Sequence, residues 1–274
     1  MRICISHRTH YRYERPVKAL TQILRLTPRR HDGQHVRKWR IEPSVDGRLR
    51  PREDTFGNIV HVFSADAAVE DMTVCVTGEV ETHDTVGMIR GTVERLPDLF
   101  YLRDTDLTAA DDDIRAFARS IGNGSRDGLA TLHRLLEALH QQVAFDTHPT
   151  LVTTTAAEAF SLKRGVCQDL THIFIAAARY LGMPARYVSG YLYRADGVVE
   201  QEAGHAWAEA KVLDLGWVGF DAANGISVSD AHVRVAIGLD YLDAAPVRGS
   251  RTGGGSEHLD VSLKVDSAQR QSQS

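Results

Sequence analysis

The period of the hydrophobic pattern changes near residue 105, and this change divides the chain into two parts that must fold differently. Before it, β-branched and aromatic residues recur at every second position in segments such as "HVRKWRIEPSV" and "MTVCVTGEVETH", with turn residues between them. After it, the apolar residues of "DGLATLHRLLEALHQQVAF" fall on one helical stripe. The sequence therefore predicts a mostly β N-terminal domain over residues 1–105, followed by a domain that begins with helices.

Two helices of the second part have recognisable ends. A long helix is expected to begin near Cys167 and to stop at Gly182, because glycine is common just past a helix and Pro184 follows it. Thr155 and Glu158 have the spacing of a capping box, which indicates the start of a shorter helix. Strands are predicted after these helices, in "ARYVSGYLYR", "GHAWAEAKVL" and "GWVGFDAA".

Helices followed by strands indicate an α+β fold, with helices packed on an antiparallel sheet. This domain is predicted over residues 106–266, and it includes a C-terminal strand in "HLDVSLKVD". The stretch "RGSRTGGGSE" before that strand is rich in glycine and serine, so we interpret it as a flexible linker. Residues 267–274 are expected to form a disordered tail.

Composition argues against several classes of protein. The formal net charge is only −4, and the basic stretch between Arg25 and Arg52 lacks aromatic residues spaced to stack on bases, so no nucleic-acid partner is expected. The N-terminal segment lacks the apolar stretch of a signal peptide, and no apolar run is long enough to cross a membrane. The three cysteines form no disulfide framework. These features predict a cytoplasmic protein without a membrane partner.

Cys167 is the residue on which the functional interpretation depends. It follows Gly165 and Val166 in "KRGVCQDLTHIF", where a loop enters the long helix. A thiolate there would be stabilised by unpaired backbone N–H groups and the positive end of the helix dipole, and the same groups could hold an oxyanion. A single cysteine is more often a buried apolar residue, however, and this is the better interpretation of Cys4 and Cys75.

A histidine and a carboxylate later in the chain favour the catalytic interpretation. His205 begins "HAWAEA", a strand in which Trp207 and Glu209 are predicted to share its face. Asp221 ends the next strand, "GWVGFD". A histidine that takes the thiol proton, oriented by a carboxylate at its other nitrogen, activates a cysteine nucleophile. Trp207 and Trp217 are expected either to shield this pair from water or to pack as ordinary core residues.

The motifs "RGVCQDLTH", "ARYVSGYLY", "GHAWAEA" and "GWVGFDAANG", in this order, resemble the bacterial transglutaminase-like cysteine protease family. The resemblance is strongest over residues 145–247, and "HRTHYRY", "LRLTPR" and "DTFGNIVHVF" resemble the β-rich domain that often precedes this core. It implies a papain-like core with Cys167 as nucleophile, His205 as base and Asp221 as orienting acid. It also implies that the N-terminal domain recruits a protein partner or shields the site.

Other residues near the cysteine receive supporting roles. Gln168 and Trp207 are candidates for oxyanion stabilisation or support of the site. Asp169 is expected to brace the start of the helix, and its spacing from His172 allows the two side chains to form a hydrogen bond. No cofactor is assigned. No metal is assigned either, because His31 and His35 have a ligand-like spacing without an evident third ligand, and the carboxylates of residues 111–113 are better explained as charges at a helix start.

Three functions remain open on the sequence. The favoured one is hydrolysis of a peptide or amide substrate through a thioester, by a protease or amidase, because hydrolysis needs no second binding site. The first alternative is a transglutaminase, in which an amine rather than water attacks the thioester. The second alternative is a binding module that keeps the fold without catalysis.

Overall fold

The computed structural model describes residues 1–122, 127–146 and 150–268 of the chain. The helices are α1 (Asp112–Gly122), α2 (Gly128–Gln142), α3 (Ala156–Leu162), α4 (Cys167–Tyr180) and α5 (Tyr241–Ala244), and a 3₁₀ helix spans Asp98–Leu102. The strands are β1 (Arg2–Thr27), β2 (Gln34–Pro43), β3 (Gly47–Glu53), β4 (Ile59–Ala65), β5 (Val69–Thr82), β6 (Met88–Ile89), β7 (Ala144–Phe145), β8 (Arg164–Gly165), β9 (Ala185–Leu192), β10 (Glu200–Gln201), β11 (His205–Val212), β12 (Gly216–Asp221), β13 (Ile226–Ser227), β14 (His232–Gly238), β15 (Val247–Gly253) and β16 (Glu257–Ser267). These elements confirm the predicted α+β fold, with a β-rich N-terminal part. Within the described residues, no helix is both long and apolar enough to cross a membrane.

The first sheet is organised around β1, which alternates between buried and exposed side chains along most of its 26 residues. Its first half pairs with β5 and β16, and its second half pairs with β4 and β15. Pro16 lies between the two halves, where the register shifts between Arg12 and Val17. Because proline has no N–H to give to a ladder, this is the point at which the strand can change partners.

The last two strands of the chain complete this first sheet, which corrects two predictions. β16 pairs with the first half of β1, so the strand assigned to the core domain lies in the N-terminal sheet instead. The predicted linker forms β15 and the turn after it, in which Gly253, Gly254 and Gly255 have positive φ. Composition misled the prediction because backbone groups make the ladder, and glycine and serine supply them as other non-proline residues do. Of the predicted tail, Ser267 ends β16, and residues 269–274 lie outside the described residues.

The second sheet has the strand order β13-β12-β11-β9-β14, with β6 also paired to β12. Helix α4 packs on one face of it, where Ala206, Ala208 and Ala210 of β11 belong to the same apolar core as the helix. Nearly every residue of α4 is buried, and α1, α2 and α3 pack around it. The predicted end of the helix is confirmed, since Gly182 has a φ of +80°, and so is the capping box of α3.

Two buried amides join the N-terminal part to β14. The side chain of Gln34 donates to the carbonyl of Arg234 at 2.9 Å and accepts from its N–H at 2.8 Å. Asn58 makes the same pair of bonds with Ile237, both at 2.8 Å. Each amide therefore acts like one residue of a neighbouring strand, and β14 is held from the side opposite to β9.

Candidate active site

The start of α4 is shaped by Gly165 and Asp169. The carboxylate of Asp169 accepts a hydrogen bond from the N–H of Val166 at 2.8 Å, which braces the first turn as predicted. A Cβ on Gly165 would lie 2.7 Å from the Asp169 side chain, so only glycine leaves room for this contact. Burial raises the pKa of Asp169, and its hydrogen bonds from Val166 and Thr150 oppose this rise.

The predicted contact between Asp169 and His172 does not form. The Nε2 atom of His172 instead accepts from the N–H of Tyr241 at 3.1 Å. His172 is fully buried, and burial together with Arg179 lowers its pKa to about 3. It is therefore a neutral histidine of the core, which connects α4 to the segment after β14.

Two backbone N–H groups remain available where Cys167 begins the helix. The N–H groups of Asp169 and Leu170, further along the first turn, are not available, because they donate to the carbonyl of Val166. In the described part of the chain, the N–H groups of Cys167 and Gln168 have no acceptor, as expected for the first turn of a helix. The side-chain amide of Gln168 donates to the carbonyl of Val152 at 3.3 Å. The backbone at the cysteine, more than the Gln168 side chain, is therefore placed to receive an oxyanion.

His205 lies beside both Cys167 and Asp221. Its Nε2 atom is 2.7 Å from Oδ2 of Asp221, which leaves Nδ1 for the thiol. Burial disfavours a charge on the imidazole, but hydrogen bonds and charges from Asp221 and Cys167 outweigh it and raise the pKa of His205 to about 10. The structure thus brings together the three side chains that the sequence proposed as nucleophile, base and orienting acid.

Asp221 is buried and accepts several hydrogen bonds. Its carboxylate accepts from the N–H of Asn224 at 3.2 Å, and Oδ2 accepts from the Asn224 side chain at 2.7 Å. A second histidine, His232, places Nε2 at 3.2 Å from the same Oδ2. Burial opposes ionisation, but the hydrogen bonds and charges of His205 and His232 hold the pKa of Asp221 well below its usual value.

Asn224 and His232 are two residues of the site that were not predicted from the sequence. Asn224 lies in "DAANG", immediately after the strand that ends at Asp221. Its position in a turn next to a predicted site residue could have indicated a role in the site. His232 gave no such signal, because β14 reaches the site only through pairing with β9, which in turn pairs with β11.

The two tryptophans have different roles. The Trp207 ring is fully buried, 5.2 Å from the His232 ring and 6.2 Å from the His205 ring, so it forms one wall of the site. Trp217 packs instead against Tyr101, with the guanidinium of Arg186 at 3.9 Å from its ring centre. Of the two roles that the sequence left open for Trp217, core packing is therefore the one that the structure shows. The two residues point the same way from strands of one sheet, but they lie at opposite ends of those strands.

The ligand-capable atoms of His205, Asp221 and His232 lie within 4.8 Å of one another. Both imidazoles are at hydrogen-bond distance from one carboxylate oxygen. A metal could bind the two Nε2 atoms only if both lost the protons that they donate to this oxygen. The arrangement is that of a hydrogen-bonded network around a buried carboxylate.

Comparison with known proteins identifies the class. Residues 3–81 match the bacterial transglutaminase-like N-terminal region, and residues 115–222 match the transglutaminase-like superfamily. The chain belongs to the transglutaminase-like superfamily, as a member that carries this N-terminal region before the core.

Individual relatives resemble the chain along nearly its whole length. An uncharacterized protein of Mycobacterium leprae is 30% identical over 278 residues, which cover 96% of this chain and 98% of the relative. An uncharacterized protein of Mycobacterium tuberculosis strain H37Rv is 28% identical over 95% of this chain and 91% of its own. The crystal structure of a "putative cysteine protease" from Cytophaga hutchinsonii has a TM-score of 0.79 at 19% identity, covering 98% of this chain and 91% of that one. This last likeness establishes the shared fold.

Proposed function

We propose that the protein is a cysteine-dependent amide hydrolase, a protease or amidase, with Cys167 as nucleophile, His205 as base and Asp221 as orienting acid. The observation that carries this proposal is the placement of one imidazole between a thiol at a helix start and a buried carboxylate. Such a chain of groups is what a cysteine needs in order to attack an amide. The raised pKa of His205 supports a protonated imidazole beside the sulfur in the resting enzyme.

Acylation begins when the Cys167 thiolate attacks the amide carbon and forms a C–S bond. The carbonyl oxygen becomes an oxyanion, which the N–H groups of Cys167 and Gln168 are placed to hold. The His205 imidazolium then gives its proton to the leaving nitrogen, the C–N bond breaks, and an amine departs. A thioester on Cys167 remains, and the imidazole is neutral.

Deacylation completes the cycle. His205 takes a proton from water, whose oxygen attacks the thioester carbon, and the C–S bond breaks to release an acid and restore the thiolate. Asp221 remains ionised throughout and keeps Nδ1 of His205 directed at the sulfur. Water requires no binding site of its own, whereas transfer to an amine requires a second substrate to be held beside the thioester.

Hydrolysis and transfer can be separated in a single reaction. Glutamine-containing peptides are incubated with the protein in ¹⁸O-labelled water together with a labelled primary amine, and the products are identified by mass spectrometry. We expect acids that carry one ¹⁸O atom to dominate over amine adducts, and the Cys167→Ala variant to form neither. Stoichiometric incorporation of the amine, with little acid released, would show instead that the protein is a transglutaminase.

A further inference from the structure

The carboxylate of Asp221 is held from two sides, and only one side is part of the proposed triad. His205 approaches Oδ2 from β11, and His232 approaches the same atom from the first residue of β14. The side chains of Asp221 and His232 are both fully buried. A buried histidine that contacts the orienting carboxylate is therefore built into the site, and it shares one carboxylate oxygen with His205.

The hydrogen bonds of His232 determine which of its nitrogens carries the proton. Its Nδ1 atom accepts from the backbone N–H of Ser229 at 3.2 Å. A ring nitrogen that accepts a hydrogen bond has no proton of its own, so Nε2 must carry the proton and donate to Asp221. His232 can therefore serve as a donor of fixed direction.

The N-terminal sheet holds His232 in this position. Thr82 donates from its hydroxyl to the carbonyl of Asp230, two residues before the histidine. Gln34 and Asn58 bind the backbone of β14 after it. Three side chains of the N-terminal part thus fix the strand segment that presents His232, which gives this part of the chain a physical connection to the site.

We propose that His232 is a positioning residue, which fixes the Asp221 carboxylate in the orientation that keeps His205 directed at Cys167. This inference rests on the proposed function of the triad and extends it to a fourth side chain. Without the donor at Nε2, Oδ2 would keep only the Asn224 side chain and His205 as partners among the described residues, and the carboxylate could rotate toward the Asn224 turn. The imidazole would then hold the thiolate less well.

Three variants test this role. His232→Phe keeps a ring but removes the donor, and His232→Gln can restore both a donor to Asp221 and an acceptor for Ser229. Val233→Ala is the matched control. Val233 is the next residue of β14 and is equally buried, but it belongs to an apolar cluster that contains no residue of the triad. The rate of Cys167 alkylation and kcat on the amide substrate are measured for each, with the melting temperature as a check on folding.

We expect His232→Phe to lose about 10- to 100-fold in kcat, with little change in KM, and to slow Cys167 alkylation. His232→Gln should recover most of both rates, and Val233→Ala should lower only the melting temperature. Equal rates in the Phe and Gln variants, or an equal loss in Val233→Ala, would reduce His232 to a packing residue. If no amide is hydrolysed by the unaltered protein, the proposed function fails, and the alkylation rates still decide the role of His232.

A measurement on the unaltered protein is independent of how the variants fold. In a ¹⁵N spectrum of labelled histidine side chains, His232 should have a protonated Nε2 and an unprotonated Nδ1. A proton on Nδ1 would overturn the proposal, because Nε2 could then no longer donate to the carboxylate.

Discussion

Replacing Cys167 with alanine is expected to lower kcat/KM on the amide substrate by about four orders of magnitude or more. The reason is that no other group in the described site can form the thioester. Cleavage of the amide can then no longer proceed through two easier steps. His205→Ala should cost a similar factor, because the groups of a triad act as a unit. Asp221→Asn should lose about a thousandfold or more, since an amide no longer selects the correct tautomer of His205.

The control for this prediction is Cys75→Ser. Cys75 lies in β5 of the first sheet, outside the site, so this variant should keep the activity of the unaltered protein. The prediction is wrong if Cys167→Ala, folded as judged by its melting temperature, retains more than a small fraction of the rate. Equal losses in the Cys75 and Cys167 variants would also contradict it.

Replacing Glu209 with glutamine is expected to reduce the free energy of unfolding by about 3–5 kcal/mol. Glu209 and Arg186 are fully buried, and the carboxylate binds Arg186 at 2.6 Å and Arg234 at 2.7 Å. Arg186 also binds Glu94, in the segment between β6 and the 3₁₀ helix, at 2.7 Å. Neutralising Glu209 leaves two buried guanidinium groups with one carboxylate between them, and an unpaired buried charge is costly.

Thermal unfolding checks the second prediction, with a melting temperature lowered by about 10 °C. Glu200→Gln is the matched control, because Glu200 pairs with Lys264 at 2.7 Å but is mostly exposed. An exposed ion pair contributes about 1 kcal/mol or less, so this variant should melt close to the unaltered protein. Similar melting temperatures for the two variants would show that the buried cluster does not stabilise the fold.

The features that the sequence predicted well are local in the chain. Gly182 marks the end of α4 because it adopts a positive φ there, and the Thr155–Glu158 box depends on two residues of one turn. The placement of His205 and Asp221 on adjacent strands was also accessible, because a short connection joins β11 to β12 and antiparallel neighbours follow from it.

The features that the sequence missed depend on contacts between distant parts of the chain. His232 contacts Asp221 although two strands of the sheet lie between their own strands, and no residue near His232 in the sequence indicates this contact. The pairing of β15 and β16 with β1 joins the two ends of the chain, and glycine-rich composition concealed it. The cluster around Glu209 was missed for the same reason, since Glu94, Arg186 and Arg234 come from three separate segments.

Alkylation of the folded protein tests the central claim most directly. Iodoacetamide is added near pH 6.5, and the labelling of each cysteine is followed by mass spectrometry over time. A sulfur held ionised by a neighbouring imidazolium should react about tenfold faster, or more, than Cys4 and Cys75, and His205→Ala should remove that advantage. Burial raises the pKa of Cys4, so its thiol is an internal reference for slow reaction. Equal labelling of all three cysteines, or a Cys167 rate that does not depend on His205, would contradict the account.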